Sequence, residues 1–331
     1  MILFFISFLL LNFILVFFHK HISNLINIYD LPSENKIHKE KISCTGGIYI
    51  LLNICLFLIL LPLLNNNTLI LSLDIRQLMS LLFTILSLLI IGILDDKYKL
   101  SPNIKSVLFF LVFFIFITFD SKSIISVLNL SFTTYSPHLN HSQAIIFTLF
   151  CYFSFLNAFN MFDGINFQSI FYSIIFFLFF LIKLNYDIFT IAILFSLLSI
   201  LFLNLKNKIF LGNNGSNIIS FLISYLIVNL YNTDKVFADD IILLMLIPGI
   251  DMTRMMFERI AVGRNPFIGD LFHIHHVLNK KLNLLKTQIL IFFPILICFL
   301  SVLYFRINSV FLIIMTLIYY FFVLKFFKKA F

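Results

Sequence analysis

The sequence predicts an all-α, polytopic integral membrane protein with about eleven transmembrane helices. Of the 331 residues, 61% are hydrophobic and only 11% are charged, whereas a soluble domain carries about a quarter charged residues. The hydrophobic residues form long runs, many of them close to the roughly 20 residues that a helix needs to cross a bilayer. This composition excludes a soluble enzyme, a disordered protein and a nucleic-acid-binding domain.

Polar breaks divide the chain into eleven apolar runs, and no fixed-period repeat relates them. We expect one span in each run, all within a single domain over residues 1–331. The runs fall at 2–18, 46–64, 77–94, 105–119, 144–160, 168–183, 188–204, 217–231, 240–257, 287–304 and 309–324.

The distribution of basic residues predicts the orientation of these spans. If the N-terminus lies outside, eighteen of the 23 Lys and Arg residues fall in inside loops or at inside helix ends. Loops that stay on the cytoplasmic side are enriched in Lys and Arg. We therefore predict an N-out, C-in topology, in which the net charge of +8 is mostly a cytoplasmic positive surface.

The same division places nearly all groups with catalytic potential on the cytoplasmic side. A simple anchor would not require such a bias, so an active site at the cytoplasmic interface is predicted. The inside set contains Asp95, Asp96, Asp163, Asp251, Asp270, His38, His273, His275, His276 and two Gly-rich segments, Gly46–Gly47 and Gly212–Gly215.

Asp95 and Asp96 follow the apolar run that ends at Leu94. Adjacent carboxylates at a membrane edge can hold Mg²⁺ and a phosphate, because Mg²⁺ binds one or two carboxylates together with substrate oxygens. A charged helix terminus that marks the interface explains the pair equally well.

Asn157, Asn160 and Asp163 recur at three-residue steps at the end of another inward-ending run. On a helix such residues share one face, and polar groups among membrane spans are costly unless they have a role. Hydrogen bonding between helices is the alternative reading.

Three further segments are weaker signals on their own. The Gly-rich start of a helix at Gly212 suits a phosphate, but Gly-Asn-Asn-Gly is also an ordinary turn. Arginines before His273, His275 and His276 suit diphosphate binding; a zinc site there is less favoured, since no Cys lies nearby. Lys36 and His38 belong to a basic loop that the positive-inside bias alone would explain.

Taken together and in order, these segments resemble the polyprenyl-phosphate N-acetylhexosamine-1-phosphate transferases, and within that superfamily the WecA/TagO branch. The resemblance runs from about Asp30 to Leu278. Its pieces are Lys36 and His38 with Gly46–Gly47, Asp95–Asp96 with Ser101–Pro102, Asn157 to Gly164, Phe210 to Ser216, and His273 to His276.

The resemblance implies a reaction at the bacterial inner membrane. A UDP-N-acetylhexosamine gives its sugar-1-phosphate, expected to be N-acetylglucosamine-1-phosphate, to undecaprenyl phosphate, and UMP leaves. Mg²⁺ is the implied cofactor, with Mn²⁺ as an alternative, and the lipid-linked product would serve cell-envelope polysaccharide synthesis. The expected partners are both substrates, the lipid bilayer and a second copy of the chain, with no nucleic acid.

The resemblance also assigns roles to individual residues. It implies catalytic roles for Asp95, Asp96 and Asp163. The implied metal ligands are Asp95, Asp96, Asp163 and Asn213, and the implied substrate-binding residues are Lys36, His38, Asn157, Asn160, Phe210, Arg259, His273, His275 and His276.

Two positions depart from the family pattern. Asn213 stands where the family has a metal-binding Asp, and Asn166 replaces another acid. The loss of charge predicts weaker metal affinity, so a catalytically impaired member is one alternative. A transporter or flippase of lipid-linked or anionic solutes is the other, although its charges would be expected in the middle of spans.

Overall fold

The computed structural model describes residues 2–32, 40–63, 73–266 and 270–328, and nearly all ordered elements in these ranges are α-helices. Every predicted apolar run falls on a helix, which confirms the all-α class. In chain order the helices are α1 Ile2–Phe17, α2 His19–Ile26, α3 Gly46–Leu60, α4 Ile75–Tyr98, α5 Pro102–Phe119, α6 His141–Phe162, α7 Gln168–Lys183, α8 Ile188–Leu205, α9 Gly212–Asn232, α10 Ala238–Ala261, α11 Ile274–Asn279, α12 Leu284–Leu300 and α13 Ser309–Lys328.

Within the described residues, seven helices are long and apolar enough to cross a membrane, or eight if the bent pair α1–α2 is one span. The protein is therefore a multi-pass membrane protein, although length and apolarity alone support fewer spans than the eleven predicted. The difference has physical causes: α7 has only 16 residues, α9 begins with a polar turn, and α10 carries several charged side chains.

The chain divides into two compact units. The first comprises residues 1–121 and 166–223, and the second comprises residues 122–165 and 224–331. The α9 helix passes from the first unit into the second. That both units serve one transferase domain stays a prediction.

In the first unit α8 packs against α1, α3 and α7, and α4 forms a helical hairpin with α5. Two short antiparallel strands, β1 Tyr29–Asp30 and β2 Ile42–Ser43, pair beside these helices. Ser43 also forms a bridge with Ile209, and its carbonyl accepts the backbone N–H of Phe210 at 2.8 Å. The strand pair thereby brings the start of α3 next to the start of α9.

A buried amide pair connects three helices of this unit. The Asn12 Nδ2 on α1 donates to Asn53 Oδ1 on α3 at 2.8 Å, and Asn53 Nδ2 donates back to Asn12 Oδ1 at 3.3 Å. Ser199 on α8 donates to the same Asn12 oxygen at 2.8 Å. Each amide satisfies the other in an apolar setting, so the pair fixes how these helices align.

In the second unit α10 packs against α6, α12 and α13, and the short α11 packs against α12 and α13. The loop before α6 is held to the start of α10, where buried Asp239 accepts the backbone N–H of Ser131 at 2.7 Å and its hydroxyl at 2.6 Å. These contacts fix one end of α10. The other end carries the charged side chains of the candidate site.

Candidate active site

The carboxylate of Asp96, at the last turn of α4, is held by four hydrogen bonds from the start of α9. Its Oδ1 accepts the backbone N–H and the Nδ2 of Asn213, at 3.0 and 2.9 Å. Its Oδ2 accepts the backbone N–H and the Nδ2 of Asn214, at 3.2 and 2.6 Å. Asp96 therefore acts as an N-terminal cap for α9, supplied by another helix, where a negative charge is favourable.

Glycines allow the three helices around Asp96 to approach backbone to backbone. A Cβ on Gly92 of α4 would lie 2.2 Å from Asn214 Cα, and one on Gly46 of α3 would lie 2.7 Å from Leu211 Cα. Gly212 has φ +70 and lies beside the Asp96 carboxylate, a backbone conformation that favours glycine. The two Gly-rich segments of the sequence thus serve close helix packing in this structure.

Asn214 completes this junction by linking α9 to α3. Its Oδ1 accepts the backbone N–H of Gly47 at 2.8 Å, and its Nδ2 also donates to the carbonyl of Cys44 at 2.7 Å. Sequence reasoning assigned no role to Asn214, because a single Asn in a Gly-rich turn carries no distinguishing signal.

Asp95 differs from Asp96 in its partners. Its Oδ2 forms an ion pair with Lys105 Nζ of α5 at 3.0 Å, and the Asp95 side chain is 6% exposed whereas that of Lys105 is 31% exposed. No hydrogen bond to Asp95 Oδ1 occurs among the described residues. The adjacent carboxylates are therefore not equivalent, since Asp96 is fully engaged and Asp95 keeps one oxygen for a ligand.

This geometry bears on the predicted Mg²⁺ ligands. Each Asp96 oxygen already accepts two N–H groups, and Asn213 presents its amide nitrogen to Asp96. These two side chains do not fit a metal as they are arranged, and no cluster of three His, Cys, Asp or Glu suited to a metal occurs in the described ranges. Asp95 does fit, because Mg²⁺ can bind a single carboxylate together with substrate phosphates.

Phe210 precedes this junction, and its ring is partly exposed. The backbone bond to Ser43 fixes its position next to Leu211, which is buried. Lys36 and His38, predicted to bind the nucleotide or phosphate, lie outside the described residues.

In the second unit, the end of α6 presents the predicted polar face. Asn157, Asn160 and Asp163 are all partly exposed, while the residues between them, including Ala158 and Phe159, are buried. Asn157 donates its Nδ2 to the Phe153 carbonyl of its own helix at 2.8 Å. The three-residue spacing therefore places these side chains on one accessible face, as expected.

The residue after Asp163 contacts the histidine segment directly. A Cβ on Gly164 would lie 2.0 Å from Nε2 of His275, so only glycine fits there. The ring of Phe162 also meets His275 edge to face, with centroids 6.4 Å apart. The end of α6 and the start of α11 are thereby joined, although 111 residues separate Gly164 from His275.

The three histidines of this segment differ in accessibility. His273 and His275 are 4% and 0% exposed, and their rings are parallel with centroids 5.5 Å apart. His276 is partly exposed. Burial lowers the pKa of His275 well below its ordinary value and that of His276 to about 4, so both rings are neutral at physiological pH. Of the three histidines, His276 is therefore the one that solvent reaches.

Arg259 is buried, and each of the three nitrogens of its guanidinium has a contact. Its Nε donates to Asp270 at 2.8 Å, its Nη1 to the Pro266 carbonyl at 2.6 Å, and its Nη2 contacts His273 Nε2 at 3.3 Å. Burial would raise the pKa of Asp270, but the hydrogen bond and charge of Arg259, with the backbone N–H of Phe272, bring it below the ordinary value. Arg259 thus organises the loop before α11 in this structure.

Sequence reasoning missed the role of Asp251 and Arg254 on α10. Arg254 Nη2 lies 2.9 Å from Asp251 Oδ1, and both side chains are buried. A signal was available, because an acid and a base three residues apart within a mostly apolar run are expensive unless they are paired and used.

Comparisons with known proteins show which family and which enzymes the chain is similar to. The family described as glycosyl transferase family 4 matches residues 78–231. The chain is similar to the undecaprenyl-phosphate alpha-N-acetylglucosaminyl 1-phosphate transferase of Escherichia coli, at 25% identity over 289 residues, covering 83% of this chain and 75% of the relative. The enzyme of that name from Salmonella typhi is 26% identical over 288 residues, with 83% and 75% covered. The one from Pasteurella multocida is 26% identical over 316 residues, with 86% and 81% covered.

Proposed function

We propose that the chain is a member of glycosyl transferase family 4, whose model matches residues 78–231, and that it transfers N-acetylhexosamine-1-phosphate from a UDP-sugar to undecaprenyl phosphate. N-acetylglucosamine is the sugar we favour, because the relatives named above carry it in their names. The observation that carries the proposal is the pair Asp95–Asp96 at the end of α4, in which Asp95 is buried beside Lys105 and Asp96 binds the Gly-rich start of α9. Transfer of a sugar phosphate to a lipid carrier is supported by the same relatives.

The proposed reaction exchanges one phosphoanhydride for another. An oxygen of undecaprenyl phosphate attacks the β-phosphorus of the UDP-sugar, and the bond from that phosphorus to the oxygen bridging the two phosphates breaks. UMP leaves with that oxygen, and the product is undecaprenyl diphosphate bearing the sugar. Phosphoryl transfer depends mainly on positioning and on neutralising charge. A phosphate monoester, with a second pKa near 6, is largely dianionic at neutral pH, so a general base is not required by the chemistry.

We assign different tasks to the carboxylates. Asp95 would hold Mg²⁺, or Mn²⁺ in its place, through the oxygen that Lys105 leaves available. Asp163 of the second unit stays a predicted metal ligand. Bound Mg²⁺ would neutralise phosphate charge. Lys105 is placed to attract an anionic substrate beside Asp95. Asp96 keeps the start of α9 in position. Asn157, Asn160 and His276 are partly exposed residues of the second unit that we assign to substrate.

The physical demands of the substrates agree with the predicted topology. A UDP-sugar is soluble and anionic, whereas the undecaprenyl tail requires lipid. We propose that the site faces the cytoplasm at the bacterial inner membrane, with the N-terminus outside and the C-terminus inside. The inside surplus of Lys and Arg would then concentrate the nucleotide sugar near the membrane.

The test is turnover by the purified protein with Mg²⁺, UDP-N-acetylglucosamine and undecaprenyl phosphate. We expect release of UMP and formation of a lipid-linked product. Asp95→Asn should reduce kcat by about a hundredfold, since the charge of the carboxylate proposed to hold the metal is lost at a site of phosphoryl transfer. Asp74→Asn is the matched control: it removes a carboxylate at the opposite end of the same helix, where Asn caps equally well.

Failure to turn over any UDP-N-acetylhexosamine would refute the proposal as stated. Retained binding of UDP without turnover would instead identify a catalytically impaired member of the family, which the neutral Asn213 and Asn166 make a specific alternative.

A further inference from the structure

We propose that Asp251 is a positioning residue for the transferase reaction, acting through His273 and Arg259 on the segment from Asp270 to His276. No role had been assigned to Asp251 by the sequence pattern. The inference rests on the proposed function for the identity of the substrate, but its structural part can be tested without turnover.

The carboxylate of Asp251 lies in the middle of a buried network in the second unit. Asp251 is 2% exposed. Its Oδ1 accepts bonds from Arg254 Nη2 at 2.9 Å, from the Tyr320 hydroxyl at 2.6 Å and from the backbone N–H of Ile274 at 3.1 Å. Its Oδ2 lies 2.7 Å from His273 Nδ1. Three elements, α10, α11 and α13, therefore meet at one carboxylate.

These contacts leave His273 one consistent protonation state. A carboxylate only accepts hydrogen bonds, so Nδ1 of His273 must carry a proton and donate to Asp251. A guanidinium only donates, so Nε2 must be unprotonated to accept from Arg259 Nη2 at 3.3 Å. Asp251 therefore selects the Nδ1–H tautomer of a neutral His273.

The tautomer in turn decides the position of the loop before α11. With Nε2 as an acceptor, His273 holds one side of the Arg259 guanidinium. The other sides hold Asp270 and the Pro266 carbonyl. His276, the accessible histidine, follows three residues after His273 on α11. The order Asp251, His273, Arg259, Asp270 is thus a chain of direct contacts that fixes the segment presenting His276.

A second set of contacts keeps Asp251 itself in place. Arg254 also donates to Glu258 at 2.9 Å, to the Phe272 carbonyl at 2.9 Å and to the Tyr320 hydroxyl at 2.8 Å. A buried carboxylate that is paired and fully hydrogen-bonded is rigid. This rigidity suits a group whose task is to orient another side chain.

Asp251→Asn is the critical variant, because it keeps size and shape while reversing one hydrogen bond. The amide oxygen can still accept from Tyr320 and Ile274. The amide nitrogen, however, donates to His273 Nδ1, so the ring proton must move to Nε2. The Nε2–H group then opposes the N–H of Arg259, and the link to the loop is lost.

The first readout is ¹⁵N NMR of histidine-labelled protein, with the His273 signals identified by their loss in His273→Gln. We expect Nδ1 to be the protonated nitrogen in the wild type and Nε2 in Asp251→Asn. Tyr320→Phe removes another donor to Asp251 without touching His273, so the wild-type tautomer should persist. Retention of the Nδ1–H tautomer in Asp251→Asn would overturn the proposal.

The second readout is steady-state kinetics. We expect Asp251→Asn to raise the KM for the UDP-sugar about tenfold and to leave the KM for undecaprenyl phosphate within about twofold. A tenfold effect is the lower end of what is lost when a residue that orients a binding side chain is removed. Asp239→Asn, which removes a buried carboxylate from the other end of α10, is the matched control and should change neither. If both variants lose activity equally, in proportion to their loss of thermal stability, Asp251 has only a structural role and the positioning proposal is refuted.

The two proposals fail separately. If the wild type has no transferase activity, the proposed function fails, while tautomer reversal with weaker UDP binding measured by calorimetry would still support positioning by Asp251. If the wild type is active and the tautomer does not change in Asp251→Asn, only the inference about Asp251 fails.

Discussion

Asn213→Asp is expected to destabilise the protein by about 4 kcal/mol at neutral pH without divalent cations, and Mg²⁺ should restore much of the loss. In the structure the Asn213 amide nitrogen lies 2.9 Å from Asp96 Oδ1. An aspartate oxygen in that place would put two carboxylates about 3 Å apart, which at an effective dielectric of about 20 costs roughly 5 kcal/mol. Protonating one acid of pKa near 3.9 at pH 7 costs about 4 kcal/mol. Because this is less than the repulsion between two carboxylates, the folded variant takes up a proton, and the loss of stability is about 4 kcal/mol.

The assay is thermal unfolding in detergent with a thiol-reactive dye, which reports exposure of the buried Cys44 and Cys298. A loss of about 4 kcal/mol should lower Tm by roughly 10 °C. The sign of the pH dependence follows from linkage: the folded variant binds a proton that the unfolded chain lacks, so the deficit is largest at high pH and shrinks as pH falls toward about 4. Mg²⁺ between the carboxylates should replace that proton and raise Tm.

Asn204→Asp is the matched control. Asn204 is also buried in the first unit, but its Nδ2 donates to the Ile209 carbonyl at 2.9 Å instead of to an acid. This variant should lose stability without recovery by Mg²⁺. Two outcomes would refute this reasoning. One is a Tm of Asn213→Asp in chelator equal to that of the wild type, and the other is an equal recovery of Tm by Mg²⁺ in both variants. Either would show that a carboxylate at position 213 does not repel Asp96.

Three further predictions use the same unfolding assay. Gly92→Ala should cost about 1–3 kcal/mol, because its Cβ would lie 2.2 Å from Asn214 Cα. Gly249→Ala meets no atom within 4 Å and should not destabilise the protein, since Ala is the better helix former. Asn53→Ala should cost about 1–2 kcal/mol, because it leaves its partner amide on α1 without that bond; an unchanged Tm would contradict this. His276, whose pKa burial lowers to about 4, should make stability fall by about 3 kcal/mol as pH drops from about 6.5 to about 4, since only the unfolded state is protonated in that window. His276→Gln should flatten the fall.

The helices of this protein could be predicted almost completely from the sequence. Hydropathy and helical spacing depend on neighbouring residues, so the eleven apolar runs indicated where helices form. The shared face of Asn157, Asn160 and Asp163 followed from their three-residue spacing for the same reason. Fewer helices than the eleven predicted spans satisfy length and apolarity, because α7 is short and α9 and α10 contain polar and charged residues.

The candidate site could be predicted as a set of residues but not as a set of contacts. Adjacent Asp95 and Asp96 are equivalent in a sequence pattern, yet only the structure separates them: Lys105 pairs with one, and the start of α9 occupies the other. The buried position of Arg259 had no local signal. The spacing of Asp251 and Arg254 indicated a pair, but it did not reveal the contacts of Asp251 with His273 and Tyr320.

The sequence by itself therefore determined where the apolar helices form and which polar residues lie near their ends. Only the tertiary structure decided what each polar group binds, because the bonds from Asn213 to Asp96 join residues 117 positions apart. Hydropathy acts on each segment of chain separately, whereas a hydrogen bond requires two backbones to approach within about 3 Å in one orientation. That approach depends on how whole helices pack, and here on glycines such as Gly92 that allow it.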